Sequence, residues 1–334
     1  MRFYYLVPLS LAAGLAIWLG VGDRSRETVV SPLAEVAATD QAITPIPDKL
    51  ALDARKVTLG RQLFHDKRLS RDDTVSCATC HRPDQAGTDG LPVAVGIQGR
   101  RGQINTPTVF NSGFNFRQFW DGRAASLEEQ VSGPVHNPVE MATDWKHVIA
   151  KLKQDPGYPG MFRAIWSDGI TAAHIREAIA EFERGLITPD APFDLYLQGK
   201  AQALSREARR GWDLFRNLGC IACHQGVNVG GNIYANLGVM GDFFADRGRP
   251  VTDADLGRIK ITSREEDRHV FKVPSLRNVE RTAPYFHDGS VPTLNKAVEL
   301  MARYQLGIHL SETDTRDLVA FLTSLNGRLP EMGQ

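Results

Sequence analysis

The chain has 334 residues, 42% of them hydrophobic and 23% charged, and its 39 Lys and Arg balance 39 Asp and Glu to a formal net charge of zero. That length is enough for two domains of ordinary size, each burying its own core. The balanced charge argues against nucleic acid as a partner and leaves only a local docking patch as an electrostatic device.

Met1-Arg2 precedes an apolar run from Phe3 to Gly22 that ends at Asp23-Arg24. A run of roughly 20 apolar residues directs export and fits either a membrane anchor or a long signal peptide. Residues 1–22 are therefore set aside from the fold, and the rest of the chain is expected in a bacterial periplasm, soluble or held at the inner membrane. Residues 23–47, rich in Ala, Thr, Val and Pro, are expected to be a spacer. From Leu59 the stretch Leu-Gly-Arg-Gln-Leu-Phe-His-Asp predicts a helix that turns Leu63 and Phe64 inward.

Cys77-Ala78-Thr79-Cys80-His81 follows, and Cys220-Ile221-Ala222-Cys223-His224 repeats it. C-x-x-C-H is the attachment signature of c-type haem: two thiols become thioethers to the haem and the adjacent imidazole becomes an iron ligand, here His81 and His224. The chain has four cysteines and the two motifs use all of them. A zinc ribbon spaces its pairs about 15–20 residues apart; far more separates Cys80 from Cys220. A redox disulfide would not need a histidine after either pair. Gly60-x-x-Leu63-Phe64 before the first motif and Gly211-x-x-Leu214-Phe215 before the second form a partial repeat, so two related haem domains are expected, 48–187 and, with its linker, 188–334.

Between His81 and Trp120 lies a Gly-rich polar stretch suited to closing over a haem face. A helix is predicted to start at Ser126, with Glu128 and Glu129 in its first turn, and a second to cover Asp144 to Leu152. Residues 172–186 place Ile175, Ala178, Ile179, Phe182 and Leu186 at helical spacing. Thr188-Pro189-Asp190-Ala191-Pro192 breaks that helix and opens the crossing to the second domain. Further helices are predicted over Ser205 to Leu218, 293–303 and 311–325, with 226–250 irregular and little strand signal anywhere. The fold class is mainly α.

Gln118-Phe119-Trp120-Asp121-Gly122-Arg123-Ala124, Gly133-Pro134-Val135-x-x-x-Val139-Glu140-Met141, Leu276-Arg277-Asn278-Val279 and Thr282-Ala283-Pro284-Tyr285-Phe286-His287-Asp288-Gly289 stand in order around the two haem motifs. Together, over about residues 55–325, they resemble the bacterial dihaem cytochrome c peroxidase family. The resemblance implies two cytochrome c-like domains, two covalent c-type haems, a calcium ion near their interface, and reduction of hydrogen peroxide to water. One iron has to stay open for peroxide while the other is closed by two protein ligands.

By the same resemblance Met301 closes the second haem beside His224, a thioether raising its potential. Glu140 moves a proton between the peroxide oxygens, and Gln130 orients peroxide. Trp120 stands between the haems, and His287 lies near the domain interface. Arg277 is expected among the cofactor-binding residues, with Cys77, Cys80, Cys220 and Cys223. Calcium would take the Asn105 side chain and the Thr282 and Pro284 carbonyls, oxygen donors suited to a hard cation.

Many family members carry in the loop after the first motif a histidine that blocks the peroxide site; alignment on Asn-x-Pro-Thr puts Ile97 there, and residues 82–135 contain no His, Met, Cys, Lys or Tyr. A resting enzyme open to peroxide is therefore expected, with His136 the one nearby imidazole that could reach the iron. Expected partners are hydrogen peroxide, a small donor such as a cytochrome c or a copper protein, or a quinol system, and a second copy in a homodimer. Two other functions compete. One is oxidation of a protein substrate, as in the methylamine dehydrogenase maturation enzyme, whose closed haem uses Tyr where Met301 stands. The other is plain dihaem electron transfer, which would need neither Glu140 nor an open site.

Overall fold

Each half of the chain is built on a pair of helices that cross at a glycine. In the computed structural model, which describes residues 42–330, the Ala54–His65 helix packs on Ala172–Arg184, and Arg206–Asn217 packs on Glu312–Thr323. A Cβ on Gly60 would lie 1.8 Å from the Ala178 carbonyl oxygen, and one on Gly211 1.9 Å from that of Asp317. Only glycine lets the two backbones approach this closely. The neighbouring rings repeat the arrangement: Phe64 meets Phe182 edge-on at 5.2 Å, and Phe215 meets Phe321 at 5.0 Å.

Local sequence sets the helix starts. Asp53, Thr171, Ser205 and Ser311 each accept a hydrogen bond from a backbone N–H of the first turn, satisfying donors that a helix start leaves unpaired. Behind the crossings lie two large apolar clusters. The first gathers Leu59, Leu63, Phe64, Val148, Ile175 and Phe182; the second gathers Phe193, Phe215, Leu318, Phe321 and Leu322.

The chain ends cross over between these clusters. Ile43 packs into the second, and Leu329 packs against the first. Ile43 and Ile46, expected within a spacer, are thus core: each is 1% exposed, and the Ala42 carbonyl accepts from Gly226 N at 2.7 Å. Removing two isoleucines from water outweighs the polar composition around them. The expected export segment 1–22 and residues 23–41 of the expected spacer lie outside the described residues. No helix among the described residues is long and apolar enough to cross a membrane.

A second repeated unit runs at a constant offset. Asn111 and Asn278 are left-handed (φ 61° and 58°), as are Phe119 and Phe286 (69° and 71°) and Gly122 and Gly289 (69° and 61°). Gln118 bridges Ala124 as Tyr285 bridges Val291. Ser126 and Thr293 then cap helices. The two copies also exchange backbone hydrogen bonds: Lys272 N donates to the Trp120 carbonyl and Asn105 N to the His287 carbonyl, both at 2.8 Å. Asn111 and Asn278 both donate through Nδ2 to the buried Thr188 hydroxyl, at 2.7 and 2.9 Å. Tyr234–Asn236 pairs antiparallel with Val270–Lys272, with Tyr234 opposite Lys272. Strand content among the described residues is limited to these short segments and isolated bridges.

Candidate active site

The first C-x-x-C-H opens a cavity of about 610 Å³. Cys77 and Cys80 bound the short Cys77–Cys80 helix, and His81 follows as its C-cap. His81 Nδ1 lies 3.3 Å from the Gly87 carbonyl, which orients the ring and leaves Nε2 for iron. Gln130, Pro134, Val139 and Glu140 line the same cavity, together with Trp120 and Asn105. This volume, with unpaired thiols and an oriented imidazole on its wall, fits a covalently attached haem.

The bland readings of the cysteines fail on this geometry. No disulfide joins any of the four. Among the described residues the one group of three His, Cys, Asp or Glu close enough to share an ion is Asp255, His287 and Asp288, so the two cysteine pairs do not converge on a metal. That trio is itself knit to Arg247, 2.5 Å from Asp255, and to Arg249.

Glu140 stands on the cavity wall with a hydrogen bond that aims it: Asn137 Nδ2 donates to its Oε1 at 2.6 Å. Burial pushes its carboxyl above the ordinary range, against the Asn137 hydrogen bond and the nearby Arg123 guanidinium. The Gly-rich loop is docked on this residue. Ile97 N donates to the Glu140 carbonyl at 2.9 Å, Arg100 Nη1 donates to the Pro138 carbonyl at 2.9 Å, and Ile97 itself is 1% exposed. His136 is turned away: exposed, it stands edge-on to Trp145 at 6.0 Å.

Asn137 and Glu183 escaped the sequence reading. The spacing of Asn137 three residues before Glu140 is a detectable turn signal. Glu183 had none, because its helix position reads as an ordinary polar site; yet it lies on the cavity wall, 7% exposed, its carboxyl pushed up to about 8 by burial and then by Glu128.

Around the second motif, Gly219 is left-handed and Cys220–Ala222 forms a single 3₁₀ turn before His224. His224 lies beside the Val229 and Pro274 backbone, although its buried Nδ1 makes no close hydrogen bond among the described residues. Met301 lies in the Leu294–Leu306 helix, half-buried. Ala297, Leu300 and Tyr304 of that helix enter apolar clusters, and Met301 enters none. Extending the register of the second repeated unit carries Pro134 onto Met301. The residue facing the first cavity at that place therefore has no donor atom to offer iron.

Trp120 and His287 occupy equivalent places in the two copies and meet edge to face, with ring centroids 6.4 Å apart. Trp120 Nε1 donates to the Asn105 carbonyl at 3.1 Å. His287 Nε2 lies 2.7 Å from Asp255. Arg277, expected among the cofactor-binding residues, is anchored by the protein itself. It is 1% exposed and gives Nη1 to Asp194 at 2.7 Å, Nε to the Val227 carbonyl and Nη2 to the Thr44 carbonyl. Its three donor nitrogens tie the N-terminal stretch to the second core, because a buried guanidinium requires such partners.

The profile of the family described as di-haem cytochrome c peroxidase matches residues 54–202, and one described as RoxA-like, cytochrome c-like matches 270–306. Cytochrome c peroxidase Ccp of Escherichia coli K12 is 47% identical over 325 residues, covering 93% of this chain and 69% of that protein. The chain belongs to the di-haem cytochrome c peroxidase family. Cytochrome c551 peroxidase of Nitrosomonas europaea is 41% identical over 299 residues, covering 89% and 88% of the two chains. Methylamine utilization protein MauG of Methylophilus methylotrophus is 35% identical, covering 92% and 93%. Among solved structures, a MauG-like protein associated with microbial copper homeostasis superposes with a TM-score of 0.74 at 30% identity, over 85% of this chain and 93% of that one. The family carries two c-type haems in cytochrome c-like domains, which accounts for both C-x-x-C-H motifs.

Proposed function

We propose that this chain is a dihaem peroxidase that reduces hydrogen peroxide to two waters, with two protons and two electrons taken from an external redox donor. The observation that carries this reading is the first cavity: an attachment motif with an oriented His81 shares it with Pro134, which cannot ligate, and with Glu140, a half-buried and aimed acid–base group. The haems, held by Cys77, Cys80 and His81 and by Cys220, Cys223 and His224, would supply the redox chemistry, one iron open to peroxide and the other passing electrons.

The chain's own residues do the rest. Glu140 takes the proton from one peroxide oxygen and returns it to the other, which turns the departing oxygen into water. Asn137 holds its carboxylate in place, and Gln130 on the same wall orients peroxide. Met301 would hold the second haem beside His224; its absence from the packed clusters supports a ligand over a core filler. Trp120, against His287 and beside the first cavity, lies on the short route between the two sites. Calcium is held by Asn105 with the Thr282 and Pro284 carbonyls. Asn105 Nδ2 donates to the Leu91 carbonyl, which leaves Oδ1 for a cation, and neither of those two carbonyls accepts a backbone hydrogen bond among the described residues.

The first haem belongs to residues 48–187 and the second to 188–334; the apolar run from Phe3 to Gly22, read as an export segment, supports a periplasmic enzyme fed by a small cytochrome c, a copper protein or a quinol system. The test is steady-state peroxide consumption by the holoprotein with each class of donor. Rapid turnover supports the reading; electron exchange with a donor but no peroxide turnover would leave a plain dihaem carrier.

A further inference from the structure

One buried cation has no counter-charge among the described residues. Lys272 is 7% exposed, and neither a hydrogen bond nor a charged neighbour offsets the burial that pushes its ammonium down to about 8. Lysine is almost never buried unless paired. A group left in this state in the protein chain points to an anion that the chain itself does not provide.

The internal repeat shows where that anion lies. The register that carries Asn111 onto Asn278 also carries Asn105 onto Lys272 and Pro107 onto Pro274. The backbone at these residues behaves alike in the two copies: Asn105 N and Lys272 N make the reciprocal 2.8 Å bonds to His287 and Trp120. Pro107 meets His81 through its backbone, and Pro274 meets His224 in the same way. Asn105 lines the first haem cavity. Lys272 therefore occupies at the second haem the place that Asn105 occupies at the first. Side-chain alternation agrees: Phe271, the residue before it in the strand, lines the first cavity and stacks on His287 at 4.6 Å, so Lys272 faces the other way, on the side of Tyr234.

We propose that the Lys272 ammonium is the counter-ion of a propionate carboxylate of the second haem. The only ionisable groups on the edge of that cofactor are carboxylates, and a carboxylate withdrawn from water needs a cation or several donors. A lysine supplies a point charge at the end of a flexible stem. The first repeat leaves an uncharged oxygen donor at this place and the second builds in its own positive charge. The inference rests on the dihaem reading and adds to it the charge that sets the second site apart.

The test uses the two-haem holoprotein. Lys272→Met keeps the chain length and removes the charge. Loss of a nearby positive charge favours the oxidised iron, so the midpoint potential of the low-spin second haem should fall, by about tenfold in its reduction equilibrium or about 59 mV for one electron. The first-haem potential should stay in place, and Lys272→Arg should recover most of the fall. An unchanged second-haem potential in Lys272→Met, or an equal fall at both haems, would overturn the assignment. A measurement on the unaltered protein decides the matter should Lys272→Met fail to accumulate. The propionate bending band of the second haem, seen by resonance Raman scattering, should shift on transfer to D2O, and a band insensitive to D2O would exclude an N–H partner. Fewer than two covalently bound haems per chain would instead sink the dihaem reading, a separate result read from the haemochrome spectrum.

Discussion

Gly96→Ala tests whether the Gly-rich loop fixes the acid–base residue. Gly96 has φ −98° and ψ −152°, outside the left-handed region that demands glycine. The conflict is with what lies opposite. The added Cβ would sit 2.0 Å from the Val139 carbonyl oxygen and 2.6 Å from Glu140 Cα, both backbone atoms that cannot rotate aside. Ordinary contact between such atoms is about 3.5 Å, so loop and Glu140 have to separate by about 1–1.5 Å. That movement stretches the 2.9 Å bond from Ile97 N to the Glu140 carbonyl and carries the carboxylate away from its place in the cavity. A misplacement of this size costs about 10²-fold in rate. Overpacking costs about 1–3 kcal/mol, within the roughly 5–15 kcal/mol that holds a domain folded. The assay is steady-state peroxide turnover beside haem content and thermal unfolding. A fall in kcat of about 10²-fold is expected, with both haems attached and the second-haem spectrum unchanged. A kcat within threefold of the parent would refute the clamp, since it would mean that Glu140 works without the loop held against it.

Glu140→Gln should keep both haems and bind peroxide while losing about 10²–10⁴-fold in kcat, the usual worth of a general acid–base group. Glu140 has to be ionised to accept a proton and burial raises its pKa, so the parent's rate should fall as pH drops through a value above the ordinary carboxyl range; a Gln variant that keeps that acid limb would assign the limb elsewhere. Met301→Ala should abolish the sulfur-to-iron charge-transfer band and lower the potential of the second haem, and an unchanged band would mean another sixth ligand. The resting ferric protein should show one high-spin and one low-spin haem by electron paramagnetic resonance and should react with peroxide on mixing. Two low-spin haems with reactivity only after one-electron reduction would show that a ligand reaches the first iron despite Ile97 and the outward-facing His136.

Much of the helical frame was legible in the sequence because its signals are local. Asp144 caps Trp145–Gln154, Thr171 caps Ala172–Arg184 and Ser311 caps Glu312–Thr323, each within two or three residues of the boundary expected. What stayed hidden depends on contacts between distant segments. Tyr234–Asn236 is too short to show a period of two and exists because Val270–Lys272 pairs with it. Ile43 and Ile46 look like two apolar residues in a polar spacer until the second core closes over them. Arg277 sits in a motif shared with haem proteins, so sequence alone suggests a cofactor contact, whereas its actual acceptors are Asp194 and two carbonyls remote in the chain.

The duplicated frame also explains how one chain supports two unlike iron sites. Both copies share the left-handed Asn, Phe and Gly positions that turn the chain over each site, and exchange the same backbone hydrogen bonds across the interface. Those features are expensive to alter, since each φ near +60° on a non-glycine residue is tolerated only where the surroundings hold it. Side chains hung on that backbone are free to diverge, and they do so at the places that decide chemistry. Pro134 stands where the other copy has Met301, leaving one site without a donor and giving the other a thioether. Trp120 stands where the other has His287, and the two meet face to edge at the junction. Asn105 stands where the other has Lys272, so the charge differs as well as the ligand. Under the proposed roles, the Pro134/Met301 and Asn105/Lys272 exchanges separate a site that admits peroxide from one that holds electrons.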